Sequence, residues 1–424
     1  MGLNLSVLKS IAGSTFFKIA SSLVSFVAVP LLLKALGTHD YGIWVTLTAM
    51  VAWLNLFDFG SGYSLKNKVT ESLVNEDKSF LKILIAGTIQ FYVLATFVIL
   101  LVFVGCLFFI KAFRENIILS LILYLPVIIA FPFTLGHFMM QGLKKFNLFN
   151  FLLLLQSLIW LITIILYSNG IIQMDIYKIA IVYGLLYITA NFYVFYISLK
   201  FLEFNWKELL NFSHFKSSKN SLLVGGRFFL LQISSLMLFS LGNLMTYDNL
   251  EVKDVAQFDT VNKIFLMGMT FFNVIVAIFW AEISHAKALK AKTLLFKVKN
   301  QLLLVSLFFS VGTCIVAYFM PFIVPFWTKG IINIEFVQLF PFIFLVVVQY
   351  FAYAGAVVLN AFEDLKGQVV LSVFASIFII PLAKYFFYIG VGIGSVPLAS
   401  AILILPTLIY VLYKSNKCIT NIIE

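Results

Sequence analysis

Residues 11–33 read IAGSTFFKIASSLVSFVAVPLLL, and Lys18 is the one charged residue among them. About 20 apolar residues in a helix are enough to cross a hydrocarbon core of about 30 Å. The stretch is too long for the apolar core of a signal peptide, and it lacks a cleavage motif of small residues. We therefore interpret it as a retained transmembrane helix.

Similar apolar runs recur along the whole chain, in which 62% of the residues are hydrophobic and only 11% are charged. Such a composition cannot coat the surface of a water-soluble domain with charge. In lipid every backbone N–H and C=O must bond internally, so helices are expected, and the alternation typical of membrane strands is missing. The sequence predicts an all-α integral membrane protein of about 12 transmembrane helices, at residues 10–35, 41–65, 83–110, 118–140, 148–168, 178–199, 221–247, 258–281, 300–325, 338–359, 369–388 and 395–413.

The basic residues indicate the orientation of these helices. With a cytoplasmic N-terminus, the cytoplasmic segments hold 19 lysines and the opposite segments hold six basic residues. Lysines and arginines are enriched in cytoplasmic loops, so both termini are predicted to be cytoplasmic. The net charge of +11 is then a signal of topology and of contact with anionic lipid headgroups. It gives no reason to expect a nucleic-acid partner.

The two halves of the chain open with similar motifs. Residues 13–18 read GSTFFK and residues 225–229 read GGRFF, so each half places a glycine, a cation and two phenylalanines at a similar depth. This pattern predicts two pseudo-symmetric six-helix lobes, residues 1–205 and 206–424, related by an axis along the membrane normal.

Lys18 and Arg227 lie deep enough in their spans to carry a functional interpretation. A basic residue at a helix centre costs about 2.5–3.5 kcal/mol on insertion scales, although snorkelling reduces this cost. One interpretation is an anion site, in which Arg227 binds a phosphate through its planar guanidinium group and Lys18 adds a point charge. The alternatives are snorkelling to the headgroups or an ion pair with a carboxylate such as Asp58.

Three further charged residues are candidates for ion coupling or gating. Asp58 lies at the cytoplasmic end of the second span, where it could bind a coupling ion or proton; pairing with Lys66 or Lys68 is the favoured alternative. Lys263 lies a turn or two from the outer end of its span, which favours snorkelling. Asp259 lies four residues before Lys263, so an ion pair between them is the alternative.

Other kinds of chemistry have little support in the sequence. The outer loops are predicted to be short, about five to twelve residues by the span boundaries, which leaves no room for an extramembrane catalytic domain. The sequence contains no phosphate-binding loop of an ATPase, and its four histidines and three cysteines are scattered without metal-ligand spacing. The chain is expected to be neither an enzyme nor dependent on a cofactor or metal.

Three motifs near the N-terminus resemble a known family. Residues 36–44 (LGTHDYGIW), 58–62 (DFGSG) and 67–71 (NKVTE) are similar to the O-antigen repeat-unit flippases of the Wzx type. These belong to the polysaccharide exporter branch of the multidrug/oligosaccharidyl-lipid/polysaccharide (MOP) superfamily. The specific motifs cover about the first 80 residues, and the rest of the chain is similar in outline only.

That resemblance implies two lobes around a central cavity, in a bacterial inner membrane. It implies an undecaprenyl-diphosphate-linked oligosaccharide as the substrate, moved from the cytoplasmic to the periplasmic leaflet by alternating access. A polysaccharide polymerase and a chain-length regulator are further candidate partners.

Three other functions fit the sequence less well. A drug or toxin exporter of the same fold would favour an acidic or apolar cavity, against which Lys18 and Arg227 argue. A polysaccharide polymerase or ligase would normally carry a long periplasmic loop, and a channel would need a pore-lining polar stripe or oligomerisation. The sequence shows neither feature.

Overall fold

The computed structural model describes residues 5–75, 78–173, 175–204, 229–230, 232–362 and 364–421. All regular secondary structure in these ranges is helical. The chain divides into two compact units. Unit 1 comprises residues 1–36 and 47–232, and unit 2 comprises residues 37–46 and 233–424.

Unit 1 contains the first eight α-helices, except for residues 37–46 of the first one. In chain order these are α1 (Leu5–Ala49), α2 (Ser61–Asn75), α3 (Lys78–Phe109), α4 (Lys111–Glu115), α5 (Ile117–Ala130), α6 (Leu135–Gly142), α7 (Phe146–Ser168) and α8 (Ile176–Phe201), with 3₁₀ turns at Met50–Asp58 and Phe131–Thr134. Helix α8 packs against α5, α6 and α7, and α2 packs against α3 and α6.

Unit 2 is built around a central helix, α12. Its named helices are α9 (Gly242–Asn249), α10 (Val252–Ala288), α11 (Lys292–Trp327), α12 (Phe336–Phe362), α13 (Lys366–Tyr388) and α14 (Ser395–Thr420), with a 3₁₀ turn at Gly392–Gly394. Helix α12 packs against α10, α11 and α14. Its Tyr350 is fully buried and lies against the rings of Phe272 and Phe309.

Helix α1 is interrupted at Gly37, whose backbone has φ 74° and ψ 174°. A positive φ is strained for residues with a Cβ, and glycine adopts it without that cost. The interruption marks a change of unit, because residues 37–46 belong to unit 2 while the chain on either side of them belongs to unit 1. The predicted lobes are 1–205 and 206–424. They assign residues 37–46 to the first lobe and residues 206–232 to the second, the reverse of the two units. The division into six helices per lobe stays a prediction.

Ten helical stretches within the described ranges are long and apolar enough to cross a membrane. The first of them, Thr15–Asp58, includes most of the predicted spans 10–35 and 41–65. The predicted span 221–247 begins in residues outside the described ranges. Each of the remaining nine predicted spans overlaps one candidate helix.

The connections on the predicted outer side are short. Helices α7 and α8 are separated by residues 169–175, and α11 and α12 by residues 328–335. In these parts of the chain no extramembrane domain interrupts the helices, as the sequence predicts.

Candidate functional site

Lys18 lies on α1, 13 residues after Leu5, which is about 20 Å along the helix. Its side chain is exposed, and no described carboxylate pairs with it. The predicted alternative of an Asp58 partner is therefore wrong. Arg227 lies outside the described residues, so an anion site shared by Lys18 and Arg227 stays a prediction.

Asp58 closes the 3₁₀ turn that follows α1 and is only 4% exposed. The next two residues have positive φ, 48° at Phe59 and 75° at Gly60. This conformation turns the Gly60 N–H back toward the carboxylate, and it donates to Oδ1 at 2.7 Å. The Tyr92 side chain interacts with the same carboxylate. Asp58 thus binds the backbone of its own turn.

The two lysines predicted to pair with Asp58 lie elsewhere. Lys66 Nζ lies over the ring of Phe146, 5.9 Å from its centroid. Lys68 Nζ lies 3.9 Å from Glu71. The predicted pairing is wrong because the backbone N–H of Gly60, two residues after Asp58, is the donor to this carboxylate.

Unit 2 contains a buried charge cluster formed by Tyr41, Asn243, Asp259 and Lys263. Asp259 is 6% exposed, and its Oδ2 accepts from the Tyr41 hydroxyl at 2.6 Å and from Lys263 Nζ at 2.6 Å. Asn243 Nδ2 donates to Oδ1 of Asp259 at 3.2 Å. Both oxygens of the carboxylate are thereby bonded.

The cluster is electrically neutral and closed. Lys263 Nζ also donates to the Tyr41 hydroxyl oxygen at 3.0 Å, so the ammonium group bonds to two groups of the cluster. A buried carboxylate is tolerated when it is paired and fully hydrogen-bonded. In this arrangement Asp259 compensates Lys263 and offers no free charge to a ligand.

The position of Lys263 confirms one of the two predicted alternatives. The predicted span begins at residue 258, whereas α10 begins at Val252. Lys263 therefore lies 11 residues into the helix, about 16 Å from its start. The ion pair with Asp259, one helical turn away, is confirmed.

Tyr41 reaches this cluster because its segment lies very close to the start of α10. A Cβ built on Gly42 would lie 2.3 Å from the carbonyl oxygen of Val252. Only glycine permits this approach. Sequence reasoning missed the contact, although Tyr41 and Gly42 both lie in the LGTHDYGIW motif; no local pattern links them to a residue 218 positions away.

Lys299, a buried cation, also escaped sequence reasoning, which placed it in a cytoplasmic segment. Lys299 lies on α11, is 2% exposed, and donates to Oδ1 of Asn416 on α14. A weaker bond of 3.5 Å joins it to the Leu412 carbonyl. Its contacts lie within unit 2 and give it no opening to a ligand.

Metal chemistry finds no support in the described part of the chain. No three His, Cys, Asp or Glu side chains come together there in a way that could hold a metal ion.

The fold matches solved transporter structures over nearly the whole chain. An inward-facing multidrug resistance MATE family transporter of the MOP superfamily matches with a TM-score of 0.74 and 12% identity, covering 95% of both chains. An outward-facing MATE transporter matches with a TM-score of 0.67 and 12% identity, over 98% of this chain and 96% of that one. The chain has the fold of the MOP superfamily transporters.

A third match to the MOP fold comes from Pyrococcus furiosus. Its TM-score is 0.62 at 14% identity, over 98% of this chain and 96% of that chain, and its description links a reversed polarity of the binding pocket to a different function. These matches confirm the predicted all-α membrane fold of about 12 helices. At such low identity they show the fold alone.

The sequence comparisons are more limited. No protein-family model matches the chain. A stretch of 61 residues is 31% identical to a Yersinia pseudotuberculosis protein whose name proposes O-antigen export. The match covers 14% of each of the two chains, about one seventh of that protein's length. The matched proteins are transporters or exporters by their descriptions, in keeping with a chain that is not an enzyme.

Proposed function

We propose that this multi-pass membrane protein is a flippase for undecaprenyl-diphosphate-linked oligosaccharide repeat units. It would carry them from the cytoplasmic to the periplasmic leaflet of the bacterial inner membrane by alternating access. The MOP fold supports the transport mode. The N-terminal motifs and the short match to an O-antigen export protein support the substrate class.

The observation that carries this proposal is an unpaired cation in the first span. Lys18 is exposed and has no carboxylate partner among the described residues. In the part of the chain that the structure describes, the two buried carboxylates are both engaged, Asp58 by the Gly60 N–H and Asp259 by Lys263. An unpaired cation favours an anionic substrate. A diphosphate would supply the negatively charged partner that no described carboxylate gives Lys18.

The predicted roles of the remaining site residues belong to the same proposal. Arg227 is assigned to the diphosphate together with Lys18, because each stands near the start of one predicted half. Asp58, Asp259 and Lys263 are kept as candidates for ion coupling or gating. A ligand or coupled ion can drive alternating access only if it binds the two states with unequal affinity.

The topology proposed here places both termini in the cytoplasm. Anionic membrane lipids then meet the lysine-rich cytoplasmic segments. A polysaccharide polymerase and a chain-length regulator are the proposed partners on the product side, because a flipped repeat unit must be polymerised.

A second candidate function is export of drugs or toxins, which the fold match to multidrug transporters favours. The description of the Pyrococcus furiosus transporter connects pocket polarity to function within this superfamily. The bonded carboxylates and the unpaired Lys18 are the observations that favour an anionic substrate here. The alternative of a polymerase or ligase is weakened by the short connections at residues 169–175 and 328–335.

To test this proposal, the chromosomal gene for this protein is replaced, in the bacterium it comes from, by genes for single variants. Lys18→Ala and Arg227→Ala should each lower surface polysaccharide at least tenfold and should leave undecaprenyl-diphosphate-linked repeat units trapped in the cytoplasmic leaflet. Lys18→Arg should retain most of the wild-type level. Lys384→Ala is the matched control, because Lys384 is also an exposed lysine within a span.

Two outcomes would contradict the proposal. Normal surface polysaccharide in a deletion strain, together with new drug sensitivity, would show an exporter. Normal polysaccharide in both the Lys18→Ala and the Arg227→Ala strains would remove the proposed diphosphate site.

A further inference from the structure

A cavity of about 150 Å³ lies inside unit 2, and none of its lining residues belongs to the buried charge cluster. Its wall is formed by α9, α10, α12, α14 and residues 238–239. Most of the wall is apolar, and none of the described residues that line it carries a charge. The polar side chains that line it and lack an assigned bond are Asn262, Asn273, Gln349 and Tyr353.

Gln349 is the most informative of these side chains. It is 8% exposed, yet no described group forms a hydrogen bond with its carboxamide. A carboxamide has two N–H donors and an accepting oxygen, and burying it without partners is costly. Its partner is therefore expected to be a molecule that enters the cavity.

Two tyrosines on α12, Tyr350 and Tyr353, differ in whether their hydroxyl groups have a hydrogen-bond partner within the protein. Tyr350 is fully buried and its hydroxyl lies 3.2 Å from Thr313 Oγ1, so it is satisfied inside the protein. Tyr353 faces the cavity, and no described group bonds its hydroxyl. Of these two hydroxyls, only the one that faces the cavity is left without a described partner.

The asparagines extend this polar lining along α10. Asn262 and Asn273 both line the cavity and are 11 residues apart, which is about three helical turns and places them on one face. Neither side chain is bonded to a described residue. With Gln349 they supply three carboxamides, each able to donate and to accept.

The depth of the cavity suits a transported group. Gln349 lies 13 residues after Phe336 in the 27-residue helix α12, about 20 Å along a helix of about 40 Å. Transporter substrates bind near the bilayer midplane. The cavity therefore lies at the depth where a substrate would be held.

The chemistry of the wall identifies the class of ligand. A neutral wall excludes a diphosphate or an organic cation as the group it selects, since either would need a compensating charge. Hydroxyl groups both donate and accept, as carboxamides do, and the rings of Phe258 and Phe265 line the same cavity and can cover an apolar ring face. An apolar cavity of about this volume binds benzene in another protein, so a volume of about 150 Å³ is of the order of one ring.

We infer that this cavity binds a sugar ring of the transported headgroup through Gln349 and Tyr353, which lie one turn apart on α12. The inference rests on the proposed flippase function and deepens it, because it separates a neutral saccharide subsite in unit 2 from the cationic diphosphate site. The sugar subsite selects the glycan, while the diphosphate site binds what all such substrates share.

The experiment uses the full-length protein in lipid nanodiscs and two probes. These are undecaprenyl diphosphate and undecaprenyl diphosphate carrying one N-acetylglucosamine, each titrated to obtain a Kd. The wild type should bind the sugar-bearing lipid at least tenfold more tightly. Gln349→Leu and Tyr353→Phe should each lower this preference at least threefold and leave the Kd for undecaprenyl diphosphate within twofold.

Matched controls separate the cavity from general effects on stability. Gln257→Leu removes a carboxamide that is bonded to the Asn333 carbonyl at 2.8 Å, and Tyr350→Phe removes the satisfied hydroxyl. Both should keep the wild-type preference. If Gln349→Leu does not fold, Tyr353→Phe decides, because it removes one oxygen atom only.

The possible failures can be told apart. Equal binding of the two probes by the wild type, or an unchanged preference in Gln349→Leu and Tyr353→Phe, overturns the saccharide subsite and leaves the flippase proposal standing. Failure of the wild type to bind either lipid overturns the flippase proposal, and the subsite falls with it.

Discussion

The Lys263 ammonium group lies 2.6 Å from the Asp259 carboxylate, one turn earlier on α10. The Tyr41 hydroxyl donates to the same oxygen, although Tyr41 precedes Asp259 by 218 residues. This contact joins the short segment 37–46 to the rest of unit 2, whereas its chain neighbours on both sides belong to unit 1. The buried pair is thus part of what assigns the segment to its unit.

Breaking this pair from one side should destabilise the protein more than removing it altogether. Asp259→Asn leaves Lys263 without a carboxylate, and Lys263→Met leaves a buried carboxylate without a cation. Each change leaves one charge of the pair without its partner and should lower the free energy of unfolding by about 1–3 kcal/mol. The loss is limited to this range because the Lys263 side chain is partly exposed. The double variant should lose less than either single variant, and therefore less than the sum of the two. Thermal unfolding of detergent-solubilised protein measures this, and strictly additive losses would show that the two side chains do not interact.

The close approach of Gly42 to α10 gives a second prediction. Gly42→Ala would place a Cβ 2.3 Å from the Val252 carbonyl oxygen, so the segment or the helix must shift. We expect a loss of stability of about 1–3 kcal/mol. Gly105→Ala is the control, because this position is helical and a Cβ there would meet no atom of another element within 4 Å. It should be neutral or slightly stabilising. Equal behaviour of the two variants in thermal unfolding would contradict the packing.

The buried Lys299 gives a third prediction. Asn416→Leu removes its principal acceptor and leaves a buried ammonium group with one long bond, which should cost about 1–3 kcal/mol. Adding Lys299→Met should restore much of this loss, because an apolar pair replaces a half-satisfied polar one. Lys297→Met, two residues away and exposed, should change stability by less than about 0.5 kcal/mol. An Asn416→Leu protein as stable as wild type would show that Lys299 finds another partner.

Cysteine labelling tests the proposed orientation. In a background with Cys106, Cys314 and Cys418 replaced by serine, Asn169→Cys and Asn333→Cys should react with a membrane-impermeant maleimide in intact spheroplasts. Both positions are exposed in short connections.

The matched sites for the opposite face are exposed as well. Lys145→Cys and Leu289→Cys should react only after the membrane is permeabilised. The reverse pattern would invert the topology and would place Lys18 near the periplasmic face instead.

The helices were largely predictable. For example, the predicted span 148–168 corresponds to Phe146–Ser168, and the predicted span 369–388 to Lys366–Tyr388. A run of about 20 apolar residues in lipid has to satisfy its backbone within itself, so the information is local. The start of α10 was predicted six residues late, because the helix also includes residues 252–257, three of which are polar.

The charged side chains were less predictable. Asp259 and Lys263 are four residues apart, and their pairing follows from helix geometry. The sequence favours Lys66 or Lys68 as the partner of Asp58, but its partner is the Gly60 N–H, presented by a turn of positive φ. Lys299 resembles a loop lysine in the sequence and is buried only because α14 covers it.

The sequence by itself determined that the chain lies in lipid, where along the chain most of its helices lie, and that it carries more lysine than its carboxylates can neutralise. Only the tertiary structure decided that residues 37–46 join unit 2, that Tyr41 bonds Asp259, and that Gln349 and Tyr353 line a neutral cavity. The reason is physical. Helix formation in lipid is dictated by backbone hydrogen bonds between residues four apart, whereas the bond of Tyr41 to Asp259 and the walls of the cavity join groups that are distant in the chain.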